Sequence, residues 1–295
     1  MRRLLLVAAR RAFPHLGRFT PSLSARLAEE IFRTPPEHRR LRREDRELAA
    51  ARFSRTAFNG VLLPTWTWGT GPPALLVHGW GGHAGRLTPF VGPLLRAGFS
   101  VIAFDAPGHG QAPGRYSSLP EFIGAIRTIA DTHGPLEVAI GHSLGAAACA
   151  IAARDGVRVS RIVLLSPPAE AEKYTGRFAR FFGIPPQTHD AMKRRLERRY
   201  RVRWPDLVVA SGECPVRVLV FHDGRDGKVP FGDGQEIVRA WPNAELVRTR
   251  GLGHHRILRD RRVISRAVAF AADGSGRPGT ATRRRAAAMR TAFAS

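Results

Sequence analysis

Apolar residues along this chain alternate between short continuous runs and longer stretches with helical spacing. Continuous apolar runs, which are typical of buried β-strands, occupy 74–78, 100–105, 135–140, 161–166, 216–224 and 244–249. Patterns with helical spacing lie between and after them, at 84–97, 119–134, 144–156, 231–240 and 256–271. Because apolar strands that alternate with helices form parallel sheets covered on both faces, we predict an α/β fold with a mostly parallel central sheet.

An antiparallel hairpin is predicted just before the alternating pattern. Residues 56–69 hold two apolar stretches separated by Asn59-Gly60, and this dipeptide is the strongest short hairpin signal. We expect this hairpin at one edge of the sheet.

The two ends of the chain differ from the centre. Residues 1–50 read as one or two helices interrupted by prolines at 14, 21, 35 and 36. The segment 273–295 is rich in Gly, Ser and Arg, cannot bury a core, and is expected to be disordered. We therefore divide the chain into a basic helical extension over 1–50, a central domain over 51–272 and a basic tail over 273–295.

The chain is strongly basic, with a formal net charge of +23, and its hydrophobic content of 43% is that of a globular protein. Most of the excess charge lies in 1–55, 167–206 and 256–295. Basic ends suit peripheral contact with an anionic membrane. Zinc spacing, RNP aromatics and heptad-linked basic helices are absent from the sequence, so we expect no specific binding of nucleic acid.

The cellular compartment is predicted from the cysteines and from the start of the chain. Cys149 and Cys214 supply neither a disulfide framework nor a metal cluster, which fits a reducing compartment. The apolar run 4–9 is too short to span a bilayer and short for a secretory signal. We expect a cytoplasmic protein. A helix that lies on a membrane surface remains an open alternative. We expect neither a metal nor a cofactor.

The stretch AIGHSLGAAACA (139–150) places Ser143 between a predicted strand and a predicted helix, with glycines two residues before and after it. This G-x-S-x-G pattern suits a strained turn that exposes a nucleophilic serine, with the helix N-terminus favouring developing negative charge. The alternative is that Ser143 is an ordinary helix cap. The pattern alone leaves both interpretations open.

Polar residues follow the other predicted parallel strands, where a site in such a sheet forms. The stretches that follow them are HGWGGHAG (78–85), DAPGHG (105–110), HDGRDGKVP (222–230) and RGLGHHRIL (250–258). Along the chain the order is therefore serine, acid and histidine, each at a strand's carboxyl end.

These stretches, and LVHGWGG, FDAPGHG, IGHSLG, HDGRDGKVP and GLGHH in particular, resemble the α/β-hydrolase superfamily over about residues 52–270. The resemblance implies Ser143 as nucleophile, His254 as general base and Asp226 as the acid that orients the imidazole. The GLGH spacing favours His254 over His255, and the distance to Val-Pro favours Asp226 over Asp223.

The resemblance also assigns supporting roles. The oxyanion hole would use the backbone N–H groups of Trp80 and Leu144. His78, His109 and His142 would pack rather than react. Asp105 would accept hydrogen bonds from loop N–H groups.

A short helical cap is expected at about 167–210, where this family carries a variable insertion. Its aromatic residues either line an acyl pocket or dock the cap onto the sheet edge; they are Phe178, Phe181, Phe182 and Trp204. Its basic run, 193–203, either binds an anionic group such as CoA at the entrance or is a solvated helix face.

The function predicted from these observations is a cofactor-independent serine hydrolase that cleaves carboxylic esters of a small-molecule acyl substrate through an acyl-enzyme. Two alternatives remain. A thioesterase or acyltransferase would use the same triad, and a non-catalytic scaffold would bind through the basic ends. The serine at position 143 disfavours aspartate-nucleophile chemistry. The natural substrate and the oligomeric state stay open.

Overall fold

The computed structural model describes residues 2–36 and 41–273, in which eight strands form one sheet of order β1-β2-β4-β3-β5-β6-β7-β8. The strands are β1 (Arg52–Phe58), β2 (Val61–Trp68), β3 (Pro73–Val77), β4 (Ser100–Phe104), β5 (Leu136–His142), β6 (Val159–Leu165), β7 (Arg217–Asp223) and β8 (Ala244–Thr249). Strands β3 to β8 are parallel, whereas β1 and β2 are antiparallel to their neighbours. The predicted α/β-hydrolase fold, with its mostly parallel sheet, is confirmed.

Helices precede the sheet and connect its strands. They are α1 (Arg2–Phe19), α2 (Pro21–Phe32), α3 (Arg42–Ala49), α4 (Val91–Arg96), α5 (Leu119–His133), α6 (Leu144–Arg154), α7 (Glu172–Phe182), α8 (Pro186–Tyr200), α9 (Phe231–Ala240), α10 (Gly253–Arg256) and α11 (Arg261–Ala272). Short 3-10 turns cover Ala84–Arg86, Thr88–Phe90 and Trp204–Leu207.

Helices cover both faces of the sheet. Successive residues of a strand point to opposite faces, so Leu75 and Val77 pack beneath α5, α6 and α9. Ala74 and Leu76 pack on the other face, together with α3, α4 and α11. Both faces of the parallel strands are therefore dry, which explains their continuous apolar runs.

The predicted hairpin is confirmed. Asn59 and Gly60 both have positive φ, 45° and 78°, as a two-residue turn of the type common in hairpins requires. Phe58 pairs with Val61 across that turn, and β2 continues into an antiparallel pairing with β4. The hairpin thus forms one edge of the sheet.

Two predicted helices are shorter than the sequence pattern indicated. The helix expected at 84–97 consists of two 3-10 turns and only the six-residue α4, because Pro89 and Pro93 lack the N–H that a continuous helix needs. The last helix, expected at 256–271, is interrupted. Asp260 caps a new helix, α11, by accepting hydrogen bonds from the N–H groups of Arg262 and Val263.

The expectation that Pro14 breaks the first helix is wrong. Pro14 lies inside the 18-residue α1. Its ring lies so close to Gly183 that a Cβ at Gly183 would be 3.2 Å from Cγ of Pro14. Phe13 meanwhile packs edge-on against Phe182, with ring centroids 5.8 Å apart. Tertiary packing against α7 therefore retains the helix despite the missing hydrogen bond.

The N-terminal helices form one layer with the insertion between β6 and β7. Phe32 at the end of α2 packs edge-on against Phe178 of α7, with ring centroids 5.2 Å apart. Ala28 of α2 shares a buried cluster with Met192 and Leu196 of α8. We call α1, α2, α7 and α8 together the cap layer. Phe178 and Phe182 of the insertion therefore dock onto α2 and α1 rather than onto a sheet edge.

The predicted disordered tail falls almost wholly outside the described residues, which end at Asp273. Asp273 itself lies beyond the predicted domain boundary, yet its carboxylate is 2.8 Å from Nη1 of Arg217. Within residues 2–36 and 41–273, no helix is long and apolar enough to cross a membrane. Cys149 and Cys214 are both buried free thiols.

Candidate active site

Ser143 lies on a strained turn between β5 and α6. Its φ of 53° and ψ of −121° are unfavourable for a residue with a side chain, and such strain costs about 1–3 kcal/mol. The flanking glycines allow strand and helix to approach. A Cβ at Gly141 would lie 2.5 Å from the carbonyl oxygen of Gly145, and a Cβ at Gly145 would lie 2.2 Å from that of His78. The turn therefore requires glycine at both positions.

The Ser143 hydroxyl does not cap α6. The side chain accepts no hydrogen bond from the first N–H groups of that helix, although Ser143 occupies the N-cap position. Its backbone N–H donates to the carbonyl oxygen of Leu165 at 2.9 Å, which holds the turn against β6. The helix-cap interpretation therefore has no support in this geometry, and the hydroxyl is available to a ligand.

Asp226 and His254 are hydrogen-bonded to each other. Nδ1 of His254 donates to Oδ2 of Asp226 at 2.8 Å, while Oδ1 accepts from the N–H groups of Lys228 and Val229 at 2.8 and 3.0 Å. Burial alone would raise the pKa of Asp226, but these hydrogen bonds outweigh it and hold that pKa well below its usual range. The carboxylate is thus ionised at neutral pH and fixes the proton of His254 on Nδ1, leaving Nε2 as an acceptor.

Asp223 orders the loops around this pair instead of joining it. Its carboxylate accepts from the N–H groups of Arg225 and Leu252 and from the Thr249 hydroxyl, each at 2.9 Å. Burial opposes ionisation, but these donors lower its pKa. The two acids therefore have different partners, and the acid that His254 contacts is Asp226.

His142 packs directly beneath the turn. Its Nε2 donates to the carbonyl oxygen of His254 at 2.8 Å, and the two ring centroids are 4.7 Å apart. Complete burial, together with the neighbouring His254, lowers the pKa of His142 to about 3, so the ring stays neutral. His255 contacts both rings, with centroids 5.0 Å from His254 and 5.9 Å from His142. His142 thereby fixes the backbone that carries His254.

The glycine-rich loop after β3 is fixed by residues for which structural roles were predicted. Nδ1 of His78 donates to the Gly79 carbonyl oxygen at 2.8 Å, and its Nε2 accepts from the Ala106 N–H at 3.0 Å. Asp105 accepts from the N–H groups of Ala84 and Gln111, both at 2.7 Å.

This loop lies against Ser143. A Cβ added to Gly79 would be 2.9 Å from Cβ of Ser143, so only glycine allows this approach. Trp80 and Leu144 line the same cavity as Ser143. Leu144 is the first residue of α6, so its N–H has no acceptor within the helix. The two residues predicted to supply the oxyanion hole thus line the same cavity as the serine.

A cavity of about 800 Å³ extends from Ser143 and His254 to the cap layer. Aromatic and aliphatic side chains form most of its cap-side wall, including Phe32, Phe178, Phe182 and Leu196. This volume lies within the range of small-molecule sites.

Residues 74–271 match the model of the alpha/beta hydrolase family. The chain belongs to the alpha/beta hydrolase family.

Two relatives of this hydrolase are named as an esterase and a lipase. A pimeloyl-[acyl-carrier protein] methyl ester esterase of Chromobacterium violaceum is 29% identical over 69% of this chain and 95% of its own length. A monoacylglycerol lipase of Mycolicibacterium smegmatis is 30% identical over 60% of this chain and 66% of its own length. An esterase structure from Pyrococcus furiosus has a TM-score of 0.61 at 21% identity, covers 80% and 97% of the two chains, and shows the shared fold.

The basic run of the hydrolase does not form a free cationic entrance. Lys193 pairs with Glu172 at 2.9 Å, while Arg195 and Arg199 hold the buried carboxylate of Glu29 at 2.7 and 2.5 Å. None of these three cations lines the cavity next to Ser143. Lys193, Arg195 and Arg199 therefore attach α8 to its neighbours, and the expected preference for an anionic leaving group such as CoA has no support from these three side chains.

The sequence left open whether residues 1–50 contribute helices to the cap region, and in the structure α2 contributes to the cavity. Ile31, Phe32 and Arg33 line it, although they lie more than one hundred residues before Ser143. The only sequence signal was the apolar spacing of a helix, which does not reveal its docking partner. Across the described residues of the hydrolase, no group of His, Cys, Asp and Glu side chains has the arrangement of a metal site.

Proposed function

We propose that this hydrolase cleaves carboxylic esters through Ser143, His254 and Asp226, without a cofactor and through a covalent acyl-enzyme. The observation that carries the proposal is the Asp226–His254 hydrogen bond of 2.8 Å in the same cavity as a strained, uncapped serine. Nucleophile, base and orienting acid are the three parts that acyl transfer at a serine needs.

In the acylation step, Oγ of Ser143 attacks the ester carbonyl carbon and Nε2 of His254 takes the hydroxyl proton. The N–H groups of Trp80 and Leu144 donate hydrogen bonds to the carbonyl oxygen as negative charge develops on it. Such donors are worth about 3 kcal/mol each in other enzymes. Asp226 stabilises the imidazolium through Nδ1. His254 then protonates the departing alcohol, and the acyl group remains on Ser143.

Deacylation repeats the sequence with water as the nucleophile. His254 removes a proton from water as it attacks the acyl carbon, and returns that proton to Oγ of Ser143 when the ester bond to the enzyme breaks. The products are the carboxylic acid and the free enzyme. His142 takes no proton in this cycle, because its buried ring stays neutral at neutral pH.

The names of two relatives, a methyl ester esterase and a monoacylglycerol lipase, support oxygen esters rather than other acyl donors as the substrates. The apolar cap-side wall of the cavity fits an acyl chain. Thioester hydrolysis and acyl transfer would use the same three residues, and they become outcomes of the substrate panel below.

The first test is labelling with a fluorophosphonate probe, which reacts with an activated serine. The wild-type protein should be labelled, and Ser143→Ala should lose labelling together with nearly all turnover, up to roughly a millionfold as in comparable triads. His254→Ala should be similarly inactive, whereas His255→Ala should retain turnover. Labelling of Ser143→Ala, or a dead His255→Ala beside an active His254→Ala, would reject the assignment.

The second test is a panel of p-nitrophenyl esters together with matched thioesters. Each methylene that the cavity buries contributes at most about 0.8 kcal/mol, so activity should rise from acetate to a medium chain and then fall. Faster turnover of the thioesters, or transfer to an added alcohol in preference to water, would replace ester hydrolysis with one of the two alternatives. A rate that keeps climbing to long chains would indicate an open groove.

A further inference from the structure

Arg33 places a buried cation in the mostly apolar wall of the cavity. It follows α2 directly, is only 8% exposed and lines the same cavity as Ser143. Charged side chains are seldom buried so completely unless they are paired or bind something. The partners of Arg33 therefore decide what it does.

The guanidinium group of Arg33 is held in a fixed orientation. Its Nε donates to the Tyr200 hydroxyl at 2.7 Å, and Nη1 makes a long contact of 3.4 Å with Glu29. Its central carbon lies 4.6 Å from the Tyr116 ring centroid and 5.4 Å from that of Tyr200. Among the described residues, Nη2 has no hydrogen-bond acceptor. The two N–H donors on Nη2 of a rigid, charged group are thus left for a ligand.

Glu29 does not neutralise Arg33 on its own. Arg195 and Arg199 each hold one oxygen of that carboxylate, at 2.7 and 2.5 Å, which is much closer than Arg33. Burial raises the pKa of the other nearby acid, Glu121, even though it accepts a hydrogen bond from Tyr200. Three guanidinium groups therefore face at most two carboxylates, and the cluster keeps a net positive charge.

We propose that Arg33 is a carboxylate-binding subsite of the cavity, and that the hydrolase prefers esters whose acyl chain ends in a carboxylate. The proposal rests on the ester hydrolysis proposed above. The ester carbonyl lies at Ser143, the methylene chain contacts the aromatic side chains of the cap layer, and the terminal carboxylate accepts a hydrogen bond from Nη2 of Arg33.

The loss of water from Arg33 on ligand binding makes this subsite select between neutral and charged acyl chains. A neutral acyl chain that fills the cavity displaces water from Nη2 and leaves a charged donor without a partner, which is costly. A terminal carboxylate replaces that water with a charge-assisted hydrogen bond, a strong type of contact in proteins. Because a site that loses a polar partner rejects the analogue, monoesters of dicarboxylic acids should be chosen over neutral esters of equal length.

The test compares methyl esters of fatty acids with monomethyl esters of dicarboxylic acids of the same chain length. For the wild-type protein, kcat/KM should favour the charged series by about tenfold or more at the length that reaches Arg33. Arg33→Gln should remove that preference, mainly through KM, while neutral esters are still turned over. Arg198→Gln, which removes an exposed cation of α8, should leave the preference unchanged.

A binding measurement separates this proposal from the proposed hydrolysis. Calorimetry with Ser143→Ala should show tighter binding of the half-ester than of the neutral methyl ester, and Arg33→Gln in that background should abolish the difference. This result would support the subsite even if neither series were hydrolysed. Equal binding of both esters, a preference that survives Arg33→Gln, or equal loss of both activities in Arg33→Gln would each overturn the proposal.

Discussion

The carboxyl ends of the parallel strands, which we call the carboxyl edge of the sheet, face the cap layer across one cavity. The two regions are built in different ways. At the edge, each candidate site residue comes after a strand: Ser143 directly follows β5, Asp226 lies in the loop after β7, and His254 lies in α10, which follows β8. Hydrogen bonds that involve backbone groups hold all three residues in place. In the cap layer, ring packing and ion pairs join helices from distant parts of the chain.

From this difference we expect the carboxyl edge to determine the reaction and the cap layer to determine the choice of substrate. Residues at the edge are positioned by the parallel sheet, so their geometry follows from the fold. The cap layer sets the volume and charge of the cavity, and the side chains that do so come from α2 as well as from the insertion. Changes at the edge should therefore affect rate, and changes in the cap layer should affect stability and choice of substrate.

The largest expected effect belongs to Asp226 at the edge. Asp226→Asn leaves the size of the side chain unchanged but removes the charge that keeps the proton of His254 on Nδ1. We expect kcat to fall by about four decades, as for the equivalent change in a serine protease. The measurement is steady-state turnover of the best p-nitrophenyl ester.

Asp223→Asn is the matched control for Asp226→Asn. It removes the same charge from a neighbouring loop whose carboxylate accepts only loop N–H groups and a hydroxyl. Its cost should appear mainly as a lower melting temperature. A full-rate Asp226→Asn, or a larger loss of turnover in Asp223→Asn, would show that the acid had been assigned to the wrong position.

Next in size is the removal of an aromatic ring from the cap layer. Phe182 is buried and touches Phe13, Phe178 and Phe181. Phe182→Ala should destabilise the protein by about 3–5 kcal/mol and shift the preferred ester to a longer chain, because the cavity becomes larger. Urea unfolding and the chain-length profile measure the two effects.

Phe181→Ala is the control for the buried ring, since Phe181 is 56% exposed. It should change stability by less than about 1 kcal/mol. Equal losses in the two variants would mean that the cap layer is not packed through Phe182.

The contrast also explains which features could be predicted from sequence. The order of strands and helices, the hairpin at Asn59-Gly60 and the residues after each strand were accessible, because local patterns determine them. The docking of α2 was not, because an apolar helix face does not identify its partner. Pro14 was misread for the same reason, since contacts with α7 keep α1 intact. The placement of Arg33 depends on folding that joins residues far apart in sequence.

A smaller effect should appear in acid stability through His142. Its pKa is about 3 in the folded protein, below the usual value of about 6.5, so the unfolded chain binds a proton first as the pH falls. The stability that His142 contributes is complete above about pH 6.5 and is lost progressively towards pH 3. We expect unfolding free energy to drop by a few kcal/mol over this window.

His142→Asn should flatten that dependence, because the titrating group is gone. The readout is the difference in unfolding free energy between pH 7.5 and pH 4.5, which is insensitive to any destabilisation common to both. His15→Asn, which replaces an exposed histidine, should keep the wild-type slope. An unchanged slope in His142→Asn would mean that other groups cause the acid sensitivity.

The smallest expected effect is a difference in stability between two truncations at the end of α11. Truncation after Asp273 removes only residues outside the described structure, and we expect stability and kcat to stay within error. Truncation after Ala272 also removes Asp273, whose carboxylate pairs with Arg217 and whose carbonyl oxygen accepts from Nη2 of Arg161. Because the Arg217–Asp273 pair is about 40% exposed on each side, its loss should cost at most about 1 kcal/mol.

Turnover should not change in either truncation, because these contacts lie at the amino ends of the strands, whereas the cavity lies at their carboxyl ends. Arg217 is the first residue of β7, and Arg161 lies near the start of β6, whereas the candidate site lies at the carboxyl ends of the strands. Thermal unfolding of both truncations, with and without Arg217→Gln, isolates the ion pair as a coupling energy. If the shorter protein lost kcat while remaining folded, the amino edge of the sheet would have to influence the site, and the separation between a rate-setting edge and a selective cap layer would fail.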